Sequence, residues 1–236
     1  CEDARACASI AIEAAKKTNA YDFDDLFLKT NTEIKKLKRD FYIRDSIVVA
    51  QELLGKYIVR KIGKKKLIGK IVETEAYLGP KDKASHAYLG KKTNRNKIEY
   101  FEGGYIYIYL VYGMYWQLNI TTYLKDKPEC VLIRAVEPFS IINEKKIKNF
   151  KNLKPEIKNL TNGPGKVCKY FKLDKSFYGE DLSISKRIWL EDWGTKVLKN
   201  EIQKSKRIGI DYAGKYWSKR LWRFYLKDNQ FVSKLK

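Results

Sequence analysis

The sequence predicts an α+β fold: a single domain with a curved, mainly antiparallel β-sheet flanked by helices. Strand-like segments follow one another along the chain and are joined by short turns that contain glycine. Helical segments fall outside these clusters, so the regular alternation of strand and crossover helix that builds a doubly wound sheet is missing. With 44% hydrophobic residues among 236, the chain has enough apolar side chains for one core.

The two ends of the predicted domain differ in character. The first residues, CEDARACASIAIEAAKK, lack the basic start and the long apolar run of a secretory signal, and the chain begins without Met. We therefore treat residues 1–20 as a tail that is non-native or disordered, and residues 21–236 as one domain. No segment resembles a membrane span. The four cysteines are too sparse for a disulfide scaffold, which favours reduced thiols and an intracellular location.

The first predicted elements are a helix and a hairpin. Ser46 can cap a helix through IVVAQELL, and Gly55 can end it in a left-handed turn. Two β-rich runs, 56–62 and 66–77, flank the turn-like sequence Gly-Lys-Lys. This pattern is typical of a β-hairpin.

A loop and a second pair of strands come next. Residues 79–96 contain Gly, Pro, Asp, Ser and Asn without periodicity, and His86 lies in their middle. From Tyr105 to Tyr112 tyrosines alternate with aliphatic residues, and after Gly113 a similar pattern resumes as MYWQLNITTY. The sequence therefore predicts a strand, a bend and another strand.

The remaining elements are shorter. Residues 131–136 form an apolar strand, and the Lys-rich stretch over 141–147 favours a solvent-exposed helix. The turn at 162–165 predicts a helix start at Lys166. Further strands are expected around Ile188 and Phe224.

Charge and the supply of metal ligands limit the possible functions. Lys and Arg total 49 against 28 Asp and Glu, a net charge of +21. This excess indicates a polyanionic partner, or alternatively a generally basic surface, and it does not separate DNA from RNA or membrane. His86 is the only histidine, which excludes zinc sites built from several imidazoles. We expect no metal and no cofactor, and any hydrolysis must be metal-free or use carboxylates.

Two charged segments could carry such chemistry. Strand alternation places Glu73, Glu75 and Tyr77 on one face. A carboxylate there can act as a general base on water, or it can simply pair with surface lysines. Arg134 lies in an apolar strand, where its charge needs an anionic partner, and Glu73 or Glu75 would serve.

Aromatic residues offer a second type of contact. The tyrosines at 105, 107, 109 and 112 could stack on nucleic-acid bases or pack within the sheet. Tyr112 precedes Gly113 at the bend, so its ring could project as a wedge. The GPGK run at 163–166 could contact phosphate or form an ordinary turn before a helix.

Six ordered sequence blocks resemble the alkyladenine (3-methyladenine) DNA glycosylase family. They are LLGKYIV, IVETEAYLGPKDKASHAY, YIYLVYGMYWQLNI, CVLIRAVEP, LTNGPGKVC and RFYL, and the match extends over about Asp40 to Ser233. The resemblance implies a fold similar to the C-terminal domain of methionyl-tRNA formyltransferase. It also implies a monomeric, monofunctional glycosylase of base excision repair that acts on damaged double-stranded DNA. Its substrates would be alkylated or deaminated purines, namely 3-methyladenine, 7-methylguanine, hypoxanthine and ethenoadenine.

The resemblance also assigns roles around the scissile bond. Glu75 corresponds to the general base that activates the attacking water, and Arg134 helps to hold that water. The backbone carbonyl near Leu226 would be a third ligand of the water.

A second group of positions corresponds to the residues that hold the base. Tyr77 would stack on one face of the flipped purine, and His86 and Tyr109 would cover the other. The remaining assignments are Tyr107 in the pocket wall, Asn119 as the residue that obstructs the guanine 2-amino group, and Tyr112 as the residue that enters the minor groove.

Two other functions share these features. A non-catalytic nucleic-acid-binding module would have the same charge and aromatic residues but no use for Glu75. A bifunctional glycosylase/lyase would attack C1′ with a Lys amine, and the sequence is rich in Lys.

Overall fold

The centre of the molecule is an open antiparallel β-sheet. The computed structural model of the chain describes residues 33–139 and 155–233. In these ranges the sheet has nine strands, in the order β1-β7-β2-β3-β6-β5-β4, with β9 pairing with both β3 and β8. The α+β prediction is confirmed. The strands are β1 (Lys35–Lys36), β2 (Tyr57–Ile62), β3 (Lys65–Tyr77), β4 (Ile106–Val111), β5 (Tyr115–Thr122), β6 (Glu129–Glu137), β7 (Ile188–Asp192), β8 (Ile202–Ser205) and β9 (Arg223–Leu226).

Helices in the same ranges are few and short. They are α1 (Arg39–Tyr42), α2 (Ser46–Glu52), α3 (Pro155–Lys158), α4 (Pro164–Phe171) and α5 (Lys215–Ser218). The loop between β3 and β4 also contains 3-10 turns, at Gly79–Lys81, Tyr88–Gly90 and Lys97–Tyr100. None of the helices in the described part of the chain is long and apolar enough to cross a membrane.

Strand alternation separates a core face from a cavity face in the central strands. On the core face, residues of β3 to β6 pack with apolar residues of α2 and α4 into one buried cluster. Members of this face are Ala76, Ile106, Ile108, Leu118, Ile120, Val131 and Ile133. Their immediate neighbours in sequence point to the opposite side, where the cavity described below is located.

The boundaries of the two larger helices differ slightly from the prediction. Asp45, not Ser46, caps α2, since its side chain accepts from the amides of Ile47 and Val48. Helix α4 begins at Pro164 rather than Lys166, because proline at the first helical position needs no amide partner.

The other predicted elements can be compared with the structure in turn. The hairpin, the strand–bend–strand unit and the strands at Ile188 and Phe224 are confirmed. The helix expected over 141–147 lies outside the described residues. Strands β1 and β8 were not predicted, because each is only two to four residues long and forms through pairing with distant strands.

Candidate active site

A cavity of about 480 Å³ opens on the side of the sheet opposite the main core. Its wall is formed by strands β3 to β6, the loop after β3 and the segment before α5. Of the sequence-predicted site residues, seven line it: Tyr77, His86, Tyr107, Tyr109, Tyr112, Asn119 and Arg134.

Glu75 is fully buried beside this cavity and is bonded to three of its lining residues. Its Oε1 accepts from the amide of Ile208 at 2.8 Å and lies 3.3 Å from Arg134 Nη1. Its Oε2 accepts from the Tyr77 hydroxyl at 2.9 Å. An ionised carboxylate has about four lone-pair positions, so these contacts leave one position on Oε2 for a further donor such as water.

Arg134 reaches Glu75 through a paired irregularity in strands β3 and β6. Ile71 pairs with Val136 and Glu73 pairs with Ala135, so Val72 is an extra residue in β3. Thr74 then pairs with Ile133, so β6 also contains one extra residue. The extra residue in β6 is Arg134. Such bulges redirect side chains, and here the guanidinium lies between two carboxylates. Burial lowers the pKa of Arg134, but the carboxylates of Glu75 and Glu73 together outweigh this effect and raise it.

Glu73 is the centre of a buried network. Its Oε1 accepts from Arg134 Nε at 2.9 Å, Arg223 Nε at 2.6 Å and Ser233 Oγ at 2.7 Å. Its Oε2 accepts from the Ser233 amide at 2.7 Å. These bonds fix the orientation of Arg134 and join β9 and the last described residue to β3. The pairing of Arg134 with Glu73 or Glu75, which the sequence left open, involves both.

The segment that contains Ile208 was not recognised from the sequence. Arg207 is buried and anchors it, since its guanidinium donates to the Ala76 carbonyl at 3.0 Å and to Asp82 Oδ1 at 2.8 Å. This anchor places the Ile208 amide on Glu75. The available signal was Gly209, which has φ +76° and stands between two isoleucines, a pattern typical of a bend or close backbone approach.

Leu226, by contrast, is not among the residues that line the cavity. It ends β9, pairs with Ile202 and packs against the main core. The structure brings the backbone amide of Ile208 into contact with Glu75. The role of the carbonyl near Leu226 as a ligand of the attacking water stays a prediction.

Aromatic side chains surround the middle of the cavity. The His86 and Tyr109 rings meet edge to face with centroids 4.7 Å apart. His86 Nδ1 lies 2.6 Å from the Tyr107 hydroxyl. Tyr77 also lines the cavity and is held by its bond to Glu75 and by the Arg207 guanidinium, 4.6 Å from the ring centroid. The predicted stacking residues are thus brought together in one space.

His86 is uncharged near neutral pH. Although the residue retains contact with solvent, desolvation of its ring, aided by the cations Arg95 and Lys91, lowers the pKa of His86 to about 4. A neutral imidazole can lie against a positively charged ring system without electrostatic repulsion.

Asn119 is buried in the wall of the cavity. Its amide nitrogen donates to the backbone carbonyls of Tyr107 at 3.2 Å and Gln117 at 3.3 Å. Both bonds restrain the side chain, so it presents a fixed shape to the cavity.

Tyr112 lies at the exposed end of the β4–β5 hairpin. The amide of Met114 donates to the Val111 carbonyl at 3.1 Å, and both Tyr112 and Gly113 have positive φ, +51° and +67°. A positive φ is uncommon for a residue with a bulky side chain and often marks a functional site. The Tyr112 side chain projects into solvent, with the residue 86% exposed.

Two further expectations concern phosphate and metal ions. Within the GPGK run, Pro164 lines the cavity and Lys166 Nζ donates to Asn162 Oδ1 at 2.7 Å. Among the described residues, no group of three or more His, Cys, Asp or Glu is arranged to hold a metal ion.

Comparison with known proteins identifies the family. Residues 40–230 match the model of the family described as methylpurine-DNA glycosylase. The chain belongs to this family. The resemblance seen in the six sequence blocks is thereby confirmed, and the matched span contains every residue of the cavity.

Curated relatives of the methylpurine-DNA glycosylase family cover the same part of the chain. A protein of Natranaerobius thermophilus is 46% identical over 84% of this chain and 98% of its own length. A protein of Clostridium novyi is 50% identical over 85% of this chain and the whole of its own length. A protein of Borrelia garinii is 43% identical over 84% of this chain and the whole of its own length. Each bears the name "Putative 3-methyladenine DNA glycosylase".

Proposed function

We propose that this member of the methylpurine-DNA glycosylase family excises 3-methyladenine and other alkylated or deaminated purines from duplex DNA by hydrolysis. The observation that carries the proposal is the position of Glu75, a buried carboxylate with one free acceptor site beside a cavity lined by aromatic rings. Family membership and the names of the relatives support the substrate class.

The cavity is suited to hold a base that has been turned out of the helix. Stacking between Tyr77 on one side and His86 and Tyr109 on the other gives an attraction of roughly 1–3 kcal/mol per base. The neutral His86 ring also tolerates alkylated purines, which carry positive charge. Asn119, restrained by its two backbone bonds, would obstruct an exocyclic 2-amino group and so disfavour undamaged guanine.

Glu75 is proposed to act as the general base. Its Oε2 accepts a proton from the attacking water, whose oxygen forms a bond to C1′ while the bond between C1′ and the base nitrogen breaks. The electron pair of that bond goes to the base, so a positively charged alkylated purine leaves as a neutral molecule, whereas an uncharged base such as hypoxanthine takes up a proton as it leaves. Positive charge develops on the sugar in this transition state, and the carboxylate stabilises it. Arg134 holds Glu75 in place, and Glu73 offsets the positive charge of Arg134.

Tyr112 partly offsets the free-energy cost of flipping the base out of the helix. Unstacking a base costs a few kcal/mol, and the cost is smaller for damaged or mispaired bases. An exposed ring at the end of a hairpin can occupy the space that the base leaves. The net charge of +21 supplies attraction to the phosphate backbone.

Substitution of Glu75 by Gln tests this function. The Gln carbonyl can accept from Ile208 and Arg134, and its amide can donate to the Tyr77 hydroxyl, so all three contacts can be kept, while Glu73 still pairs with Arg134. We expect the rate of base excision in a single turnover to fall by about 100-fold or more, with little change in affinity for lesion-containing duplex. Excision by Glu75→Gln at the wild-type rate would remove Glu75 from the mechanism.

Glu137→Gln is the matched control. Glu137 is also a buried glutamate of the central sheet, but it pairs with Lys70 at 3.0 Å and does not line the cavity. We expect its excision rate to stay within about threefold of wild type, since Glu137 does not line the cavity.

The lyase alternative requires a lysine amine at C1′. No lysine is among the described residues that line the cavity, which favours hydrolysis. Treatment of the reaction with borohydride distinguishes the two mechanisms: hydrolysis leaves no covalent complex between protein and DNA, whereas a trapped complex would identify an amine nucleophile.

A further inference from the structure

Glu99 is a buried carboxyl group in the cavity wall that the mechanism above does not use. It lies in the 3-10 turn Lys97–Tyr100 and is 1% exposed. Its Oε1 accepts from the Cys130 thiol at 3.2 Å. Its Oε2 is buried and has no hydrogen-bond partner among the residues that the structure describes.

An unpaired buried oxygen of this kind is unfavourable for the free protein. Leaving a buried polar atom without a partner lowers stability, so native proteins rarely retain one without a functional reason. Glu99 lines the cavity, and a molecule bound there could provide the missing partner.

The protonation state of Glu99 determines which partner fits. Burial raises the pKa of Glu99 to about 8, against the smaller opposing effects of the neighbouring Cys130 and Asn96 side chains. Near pH 7 the group is therefore a carboxylic acid, with one O–H donor and a carbonyl acceptor. The other titratable groups that face it stay neutral as well, since burial raises the pKa of each: Cys130, Tyr100, Tyr107, Tyr109 and Tyr178.

Glu99 and Glu75 lie toward different ends of the cavity. On β6, Cys130 pairs with Tyr77 and Leu132 pairs with Glu75. From Cys130, which contacts Glu99, to Leu132, which is opposite Glu75, the strand advances two residues, or roughly 7 Å. A purine whose glycosidic bond lies at Glu75 would direct its opposite edge, with ring position 1 and the group on carbon 6, toward Glu99.

We propose that the Glu99 carboxyl reads this edge of the flipped base and is a specificity-determining residue. The acid O–H donates to the 6-oxygen of hypoxanthine while the carbonyl accepts from the hydrogen on N1. In 3-methyladenine the same pair fits N1 and the 6-amino group. Ethenoadenine has this edge closed by its added ring and offers no such pair. The proposal deepens the proposed function and rests on it.

Two variants test the proposal. Glu99→Gln keeps one donor and one acceptor, whereas Glu99→Met fills similar space without either. Single-turnover excision is measured with duplexes that contain hypoxanthine or ethenoadenine. We expect Glu99→Met to lower the ratio of hypoxanthine to ethenoadenine excision by about 10-fold or more, and Glu99→Gln to keep it within about threefold of wild type.

The pH dependence supplies a readout that a purely structural role would not change. In the wild type the ratio should fall as pH rises through about 8, where Glu99 loses its proton, and in Glu99→Gln it should not. If Glu99→Met does not fold, this comparison still decides. Equal loss of both activities in folded Glu99→Met, or the same pH dependence in Glu99→Gln, would overturn the Glu99 proposal alone. A wild-type protein that excises neither of these bases nor 3-methyladenine would overturn the proposed function with it.

Discussion

Replacement of Glu73 by Gln should destabilise the fold more than removal of the charge of any solvent-exposed side chain. Glu73 is fully buried and accepts four hydrogen bonds, two of them from arginines. A Gln at this position turns one acceptor into a donor, so at least one buried donor loses its partner, at a cost of about 1–3 kcal/mol. It also leaves two guanidinium groups with Glu75 as the remaining carboxylate nearby. Removing one partner of a buried ion pair costs about 3–5 kcal/mol, which we take as the expected loss.

Thermal and urea unfolding measure this loss. For a chain of this size each kcal/mol shifts Tm by about 2–4 °C, so a decrease of roughly 6–20 °C is expected. Glu137→Gln is again the control, because the side chains of Lys70 and Glu137 are 22% and 12% exposed, so water can reach the lysine that loses its partner and the loss should be smaller than for Glu73→Gln. If Glu73→Gln were as stable as Glu137→Gln, the network around Glu73 would not hold Arg134 and β9 in the way described.

Three further predictions concern the cavity. An NMR titration of His86, the single histidine, should have its midpoint near pH 4. The free energy of unfolding should therefore fall as pH drops from about 6.5 toward 4, because in this range only the unfolded chain gains the proton. A midpoint near 6.5 would contradict this prediction. Asn119→Ala should raise excision of guanine lesions relative to hypoxanthine, and an unchanged ratio in a lesion panel would disprove the steric role. Tyr112→Ala should weaken base flipping by roughly a few kcal/mol in stopped-flow fluorescence with ethenoadenine, without changing the salt dependence of binding. Normal flipping with a weaker salt dependence would show that Tyr112 is no wedge.

Much of the cavity face could be predicted because alternation is a local property. Once residues 66–77 and 105–112 were recognised as strands, alternation placed Glu75 and Tyr77 on one face of the first strand. In the same way it placed Tyr107 and Tyr109 on one face of the second. The hairpin bend at Tyr112 was also local, since Gly113 marks it in the sequence.

Contacts between distant segments could not be predicted in this way. The bulge at Arg134 is matched by an extra residue at Val72, so neither strand shows an irregularity by itself. The approach of Ile208 to Glu75 depends on the buried pair of Arg207 with Asp82, which are 125 residues apart in the chain. Leu226 was chosen by resemblance alone; it ends β9 and is not among the residues that line the cavity, and its role as a ligand of the water stays a prediction.

The central claim is that Glu75 activates water against a base held in this cavity. A crystal structure of the protein with duplex DNA containing a non-hydrolysable ethenoadenine nucleotide tests it most directly. We predict the base between Tyr77 and His86, with a water about 3 Å from Glu75 Oε2 and directed at C1′. A base that remains stacked in the helix, or a water held by groups other than Glu75, would contradict the account.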